Sequence, residues 1–131
     1  MTQMRVSEAA QLLGVSSDTV RRAIDAGRLP SSTDSSGRRV VAGADVAAFA
    51  QEQAHPAEVG AVGASSARNQ LRGVVTRIVS DTVMSQVDIQ AGPFRLVSLL
   101  STEAVREMRL EVGSVAIATV KATNVSVGVP A

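Results

Sequence analysis

The chain has 131 residues, 45% of them hydrophobic and 19% charged, which is enough apolar material for a core and excludes wholesale disorder. Against 12 acidic residues stand 13 basic ones, a formal charge of +1 that excludes polyanion binding by bulk charge yet permits a local basic face. Cysteine is absent and His55 is the one histidine, which excludes disulfides and thiolate metal sites and leaves no Ser/His/Asp set, paired carboxylates or metal-ligand cluster for an enzyme.

In chain order, the first half reads as helical. Ser7 is expected to cap a short helix through residues 8–13, with Glu8 favourably near its positive end and Gly14 closing it. Ser16 or Ser17 is expected to cap a second helix over residues 18–26, ended by Gly27. Ala9, Leu12 and Leu13 of the first helix then meet Val20, Ala23 and Ile24 of the second. Ser17, Asp18, Arg21, Arg22 and Asp25 lean outward. Two short helices joined by a tight glycine turn form a helix-turn-helix pattern. Residues 31–37 are polar and end in glycine, so Arg38-Arg39-Val40-Val41 reads as the return strand of a hairpin. Asp45 is expected to cap a third helix over residues 46–53, packing through Val46, Phe49 and Ala50.

Residues 55–65 carry Pro, Gly, Ala and Ser without periodicity, the composition of a flexible linker. The expected organisation is therefore two domains, 1–54 and 66–131. Each is small enough that a lone core is marginal, so oligomerisation is expected to bury more surface. The second half reads as strands over residues 71–80, 83–90, 94–100, 115–121 and 125–129. A short helix capped by Ser101 or Thr102 follows the third strand. Five strands with one helix predict an OB-like β-barrel, and the fold class is α+β in two domains. Phe94 is the one aromatic residue there, which argues against single-strand binding by base stacking.

Residues 6–16 (VSEAAQLLGVS), Thr19-Val20-Arg21-Arg22, Gly27-Arg28-Leu29-Pro30, Arg38-Arg39 and Asp45-Val46 together resemble the winged helix-turn-helix of MerR-like and excisionase-like DNA-binding proteins. The resemblance implies double-stranded DNA as partner. It places Ser17, Thr19, Arg21 and Arg22 on or near the recognition helix, Arg28 after it, and Arg38 and Arg39 in the wing. The six arginines of residues 1–55 are matched by six acidic residues, so clustering carries the argument rather than net charge.

Ser66-Ala67-Arg68-Asn69-Gln70-Leu71 followed by a strand, Leu110-Glu111-Val112-Gly113, and Lys121-Ala122-Thr123-Asn124-Val125 resemble the mop (molbindin, or TOBE-type) domain. That resemblance implies molybdate or tungstate as ligand, no organic cofactor, and no cation held directly by protein atoms. It also implies a homo-oligomer, with a hexamer the expected assembly. Its first site draws on Ser66, Ala67, Arg68, Asn69, Lys121, Ala122 and Thr123, and its second on the corner Ser101-Thr102. A tetrahedral dianion only accepts hydrogen bonds, so converging hydroxyl, amide and cationic donors suit it. Two departures bear on the sites: Thr123-Asn124 replaces a common Ser-Ser, and Asp81 puts a carboxylate where a small residue is usual. The first site is therefore the stronger expectation. No apolar run approaches the ~20 residues of a membrane helix and no signal-peptide core opens the chain, so a cytoplasmic protein is expected. The whole reads as an oxyanion-responsive transcriptional regulator. The alternatives are an oxyanion storage protein and an architectural DNA-binding protein that oligomerises through its mop domain.

Overall fold

A computed structural model describes residues 2–60 and 63–131, so Ala61 and Val62 of the expected linker lie outside the described residues. The chain divides into two units, Met1–His55 and Pro56–Ala131.

In the first unit, β1 (Gln3–Arg5) runs directly into α1 (Val6–Leu13), and a tight turn leads to α2 (Ser17–Asp25). β2 (Ser32–Thr33) and β3 (Arg39–Ala42) form a hairpin, and α3 (Gly43–Gln53) completes the unit. The sheet order is β1-β3-β2, antiparallel throughout, with Arg5 opposite Val40 and Thr33 opposite Arg39. Gly14 takes φ 69° and returns its N–H to the carbonyls of Ala10 and Gln11, which is the helix stop its sequence position predicts. Ser16 is the cap of α2: its hydroxyl accepts from the Thr19 N–H at 3.1 Å. The core gathers Val6, Ala9, Val20, Leu29, Val41 and Phe49, with Leu13 and Ile24 half-buried against it.

Two expected caps fail here for a common reason. Ser7 does not cap α1 and Asp45 does not cap α3, because the preceding strands run straight into both helices. Val6 and Gly43 are already helical, with Arg5 and Ala42 at the cap positions, so Ser7 and Asp45 fall inside the first turn. Leu12, 66% exposed, and Ala50, also exposed, do not join the core as expected.

The second unit holds β4 (Asn69–Ser80), β5 (Met84–Ala91), β6 (Phe94–Ser101), α4 (Thr102–Glu107) and β7 (Val115–Val120), followed by a 3₁₀ turn at Ala122–Asn124. One curled antiparallel sheet runs in the order β6-β5-β4-β7. β4 is long enough to serve two partners: Asn69 to Val74 pair with β7, and Val74 to Ser80 pair with β5, with a register shift between Val75 and Arg77. Gly73 sits at that hand-over. A Cβ there would lie 2.5 Å from the Gln90 carbonyl oxygen, so only glycine lets the two strands close this tightly. Val75, Val87, Ile89 and Val105 form the core, flanked by Leu96, Leu100 and Leu110.

The expected five-stranded OB-like barrel is met only in part. Four strands make the sheet among the described residues, and residues 125–129 belong to none of them. Val127 and Val129 are 91% and 88% exposed. Alternating valines mark a segment suited to a sheet, but they do not say which edge accepts it. The 3₁₀ turn ends β7, and the edge strands β6 and β7 line one apolar groove of about 440 Å³, floored by Val87 and Ile89.

A polar arrangement lies among these strands at Asp88, a carboxylate that is only 4% exposed. Its carboxylate accepts from Gln86 Nε2 at 3.0 Å and from Arg95 Nε and NH2 at 3.0 and 2.8 Å. The Gln86 amide, then the Arg95 guanidinium, hold the carboxyl below its ordinary value. A carboxyl depressed on folding stabilises the fold above its unfolded pKa of ~3.9, and this contribution is lost as pH falls through the lower folded value. In Asp88→Asn, unfolding of the second unit is expected to show a weaker acid dependence below about pH 4 than in the parent. Denaturant melts across an acid pH series check this, and parallel curves would contradict it.

Candidate functional site

Two clusters of polar side chains emerge, one in each unit. In the first, the helix-turn-helix geometry turns Val20 and Ala23 of α2 inward, which leaves Asp18, Arg21, Arg22 and Asp25 exposed, with Ser17 half-buried. Thr19 Oγ1 lies 2.9 Å from Ser16 Oγ and so shares in the cap. The wing carries Arg38 and Arg39 at the start of β3. Its turn is built on Asp34, whose Oδ1 accepts from the Ser36 and Arg38 N–H groups, both at 2.9 Å. The Arg38 N–H above all, and the Ser36 N–H, hold the Asp34 carboxyl below its ordinary value.

Arg21, Arg38 and Arg39 come together around one depression of about 370 Å³, and Arg5 and Ser7 line it with them. Two of its arginines have carboxylate partners: Arg21 NH1 lies 3.3 Å from Asp18 Oδ1, and Arg39 NH1 lies 3.7 Å from Asp25 Oδ1. Both pairs are exposed, the class that contributes ~0–1 kcal/mol. Arg22 and Arg28 are exposed but do not line the depression. Arg5 is the residue that sequence reasoning missed. A three-residue strand carries too little periodicity to be recognised, and only the pairing of β1 with β3 places Arg5 beside the wing.

In the second unit, the β4–β7 register begins with Asn69 opposite Val120, and Asn69 Nδ2 donates to the Val120 carbonyl at 3.2 Å. Residues 66–68 immediately before β4 and residues 121–123 immediately after β7 therefore lie at the same end of the sheet. Ser66, Arg68, Lys121, Ala122 and Thr123 are exposed, Asn69 is half-buried, and Ala67 is buried with its N–H on Ser65 Oγ at 3.1 Å. Donors of four types (hydroxyl, guanidinium, ammonium and amide) share this edge.

The corner between β6 and α4 is differently employed. Ser101 Oγ accepts from the Ala104 N–H at 3.0 Å and caps the helix. Thr102 Oγ1, 4% exposed, donates to the Asp81 carbonyl at 2.8 Å and lies 2.8 Å from Ser85 Oγ, which in turn lies 2.7 Å from Ser80 Oγ. Asp81 Oδ1 accepts from the Met84 and Val83 N–H groups at 2.7 and 2.8 Å, and these bonds hold its carboxyl low. The Thr102 hydroxyl and this carboxylate are thus occupied with folding the β4–β5 connection, while Ser101 Oγ starts α4 as an acceptor and keeps its O–H free among the described residues. Among the described residues no group of three His, Cys, Asp or Glu is placed to hold a metal ion, and no helix is long and apolar enough to cross a membrane.

A wing, a recognition helix and a curled sheet with donors gathered at one end define a helix-turn-helix module joined to a small β-domain. Comparison with known proteins identifies both parts: the helix-turn-helix domain family model matches residues 4–54, and the TOBE domain model matches residues 65–127. The chain is 48% identical over 65 residues to a probable molybdenum-pterin-binding protein of Haemophilus influenzae, covering 49% of this chain and 94% of that protein. The chain belongs to the TOBE-domain family, with a helix-turn-helix domain ahead of the TOBE domain. Among solved structures, a molybdate binding protein from Sporomusa ovata aligns at 33% identity and a TM-score of 0.47, over 49% of this chain and 96% of that one. MopII from Clostridium pasteurianum aligns at 31% identity and a TM-score of 0.48, over 50% of this chain and 100% of that one.

Proposed function

We propose that the protein is a transcriptional regulator that binds double-stranded DNA through its first unit and senses molybdate or tungstate through its TOBE domain. The observation that carries this reading is the β4–β7 register, which brings Arg68 and Asn69 to the same edge as Lys121 on a chain that also gathers arginines around a wing. A dianion that only accepts hydrogen bonds fits an edge with Ser66, Arg68, Asn69, Lys121 and Thr123 as donors and the Ala67–Ala122 backbone between them. The corner residues Ser101 and Thr102 play the smaller part, since the Thr102 hydroxyl already donates to the Asp81 carbonyl and the Asp81 carboxylate stands beside the corner. No cation or organic cofactor is required by this chemistry, and no catalysis is proposed.

Assembly belongs to the same reading. The groove between β6 and β7 is open, both edges expose unpaired backbone, and Phe94 and Leu99 are 66% and 71% exposed. Apolar surface of this kind in a small domain is buried by association. Residues 125–129 of one copy supply a strand to the groove of another, and a homo-hexamer in the cytoplasm is the proposed form.

Titration calorimetry on the full chain with molybdate, tungstate and sulfate tests the ligand. Saturable heats for molybdate or tungstate are expected, with sulfate as the comparison dianion. Absence of binding by both molybdate and tungstate would overturn the sensor reading.

A further inference from the structure

We propose that Arg5 and Arg38 seat one phosphate of the DNA backbone in the depression beside α2, a contact that rests on the DNA-binding reading and adds a residue outside both recognition helix and wing. The four arginines around this depression are not equivalent. Arg21 and Arg39 are each held by a carboxylate, Asp18 and Asp25 respectively. Arg5 and Arg38 make no ion pair among the described residues, although both lie near enough to the Asp34 carboxylate to help hold it ionised, and its Oδ1 is engaged by two backbone N–H groups. Arg5 of β1 and Arg38 of the wing thus line the depression without a carboxylate bound directly to either, and Ser7 lines it with them.

The surroundings match a phosphodiester rather than a base edge. A base-reading arginine needs a planar partner presented along a groove, whereas a concave site ringed by guanidinium groups suits a tetrahedral anion approached from several sides. The two carboxylates set the strength of the seat. Asp18 and Asp25 keep Arg21 and Arg39 partly neutralised in the free protein, and their exposed pairs are weak enough for a phosphate to displace. The seat thus fixes the register of the module on the duplex without reading sequence.

The test uses the full chain and a short mixed-sequence DNA duplex, with affinity measured across a salt series. Each phosphate contact contributes a slope of about −0.9 in log K against log salt. Because Arg5 and Arg38 serve one phosphate, Arg5→Ala or Arg38→Ala is expected to flatten the slope by up to about 0.9 and the double variant by no more than about 0.9, Arg5→Lys to retain it, and Asp18→Asn with Asp25→Asn to raise affinity at a given salt concentration. Arg106→Ala, on α4, is the control for general charge. Circular dichroism on each variant separates a lost contact from a lost fold. Should the parent show no salt-dependent duplex binding, the DNA-binding reading fails and the seat with it. Should the parent bind while a folded Arg5→Ala keeps its slope, the seat alone is overturned.

Discussion

Arg68→Ala is expected to abolish binding of molybdate and tungstate and, with it, any effect of either ion on DNA affinity, while leaving ligand-free DNA binding unchanged. Arg68 is exposed and stands just before β4, so truncating it removes a guanidinium without disturbing the core. Its loss leaves a dianion facing Lys121 and neutral donors alone, and hydrogen bonds between charged groups are about twice as strong as neutral ones. The ligand acts on DNA only through a difference in its affinity for two arrangements of the assembly. On the proposed reading, a dianion held between Arg68 and Lys121 would supply that difference by offsetting their repulsion in one arrangement more than in the other. A coupling of ~1–3 kcal/mol, or about 5–150-fold in duplex affinity, is the expected range for the parent. Duplex titrations with and without saturating molybdate, together with oligomer mass, measure it. If the parent binds the ion while both quantities stay constant, the chain stores the oxyanion rather than reporting it.

Gly73→Val is expected to destabilise the TOBE domain by at least ~1–3 kcal/mol, the usual cost of forcing extra atoms into a packed interior. The first added carbon would sit 2.5 Å from the Gln90 carbonyl oxygen and 2.7 Å from Ile89 Cγ2, and one of those contacts is backbone and cannot swing away. β4 must separate from β5 at the point where it also begins to pair with β7, so both ladders suffer together. Domains of this size have roughly 0.05–0.15 kcal/mol of stability per residue, so the substitution removes a large fraction of it. Urea unfolding of the full chain should show the TOBE transition displaced to lower denaturant and the helix-turn-helix transition unmoved. An undisplaced TOBE transition would mean that the strands hand over without the close approach.

Elements that announce themselves locally were legible in the sequence. Ser16 before a helical run and Gly14 after one each state a backbone requirement, and both occupy the roles they imply. The wing was legible because a polar stretch ending in glycine precedes Arg38 to Val41, a strand-forming run. Requirements set by pairing were not. Ser7 and Asp45 look like caps only while the short strands feeding α1 and α3 are unseen. Arg5 joins the arginine depression only through the β1–β3 register. Residues 125–129 have the alternation of a strand, yet the edge that would receive them is a property of the sheet. The sequence neighbourhood of Ser66 and that of Lys121 lie more than fifty positions apart, so family resemblance alone linked them before the Asn69–Val120 pair was known.

The Asp34 turn has a consequence for the thermodynamics of DNA capture. A wing that was mobile before contact would surrender conformational entropy on docking, roughly 1–2 kcal/mol for each backbone residue immobilised. Here a single carboxylate already gathers the Ser36 and Arg38 N–H groups, Gly37 accepts the left-handed φ of 80°, and the Asp34 N–H closes on the Arg38 carbonyl at 2.8 Å. In the proposed DNA contact the hairpin would meet the duplex preorganised, and attraction between its arginines and the phosphates would not be spent on freezing the loop that carries them. In a module without net positive charge, this rigidity lets a few cations suffice.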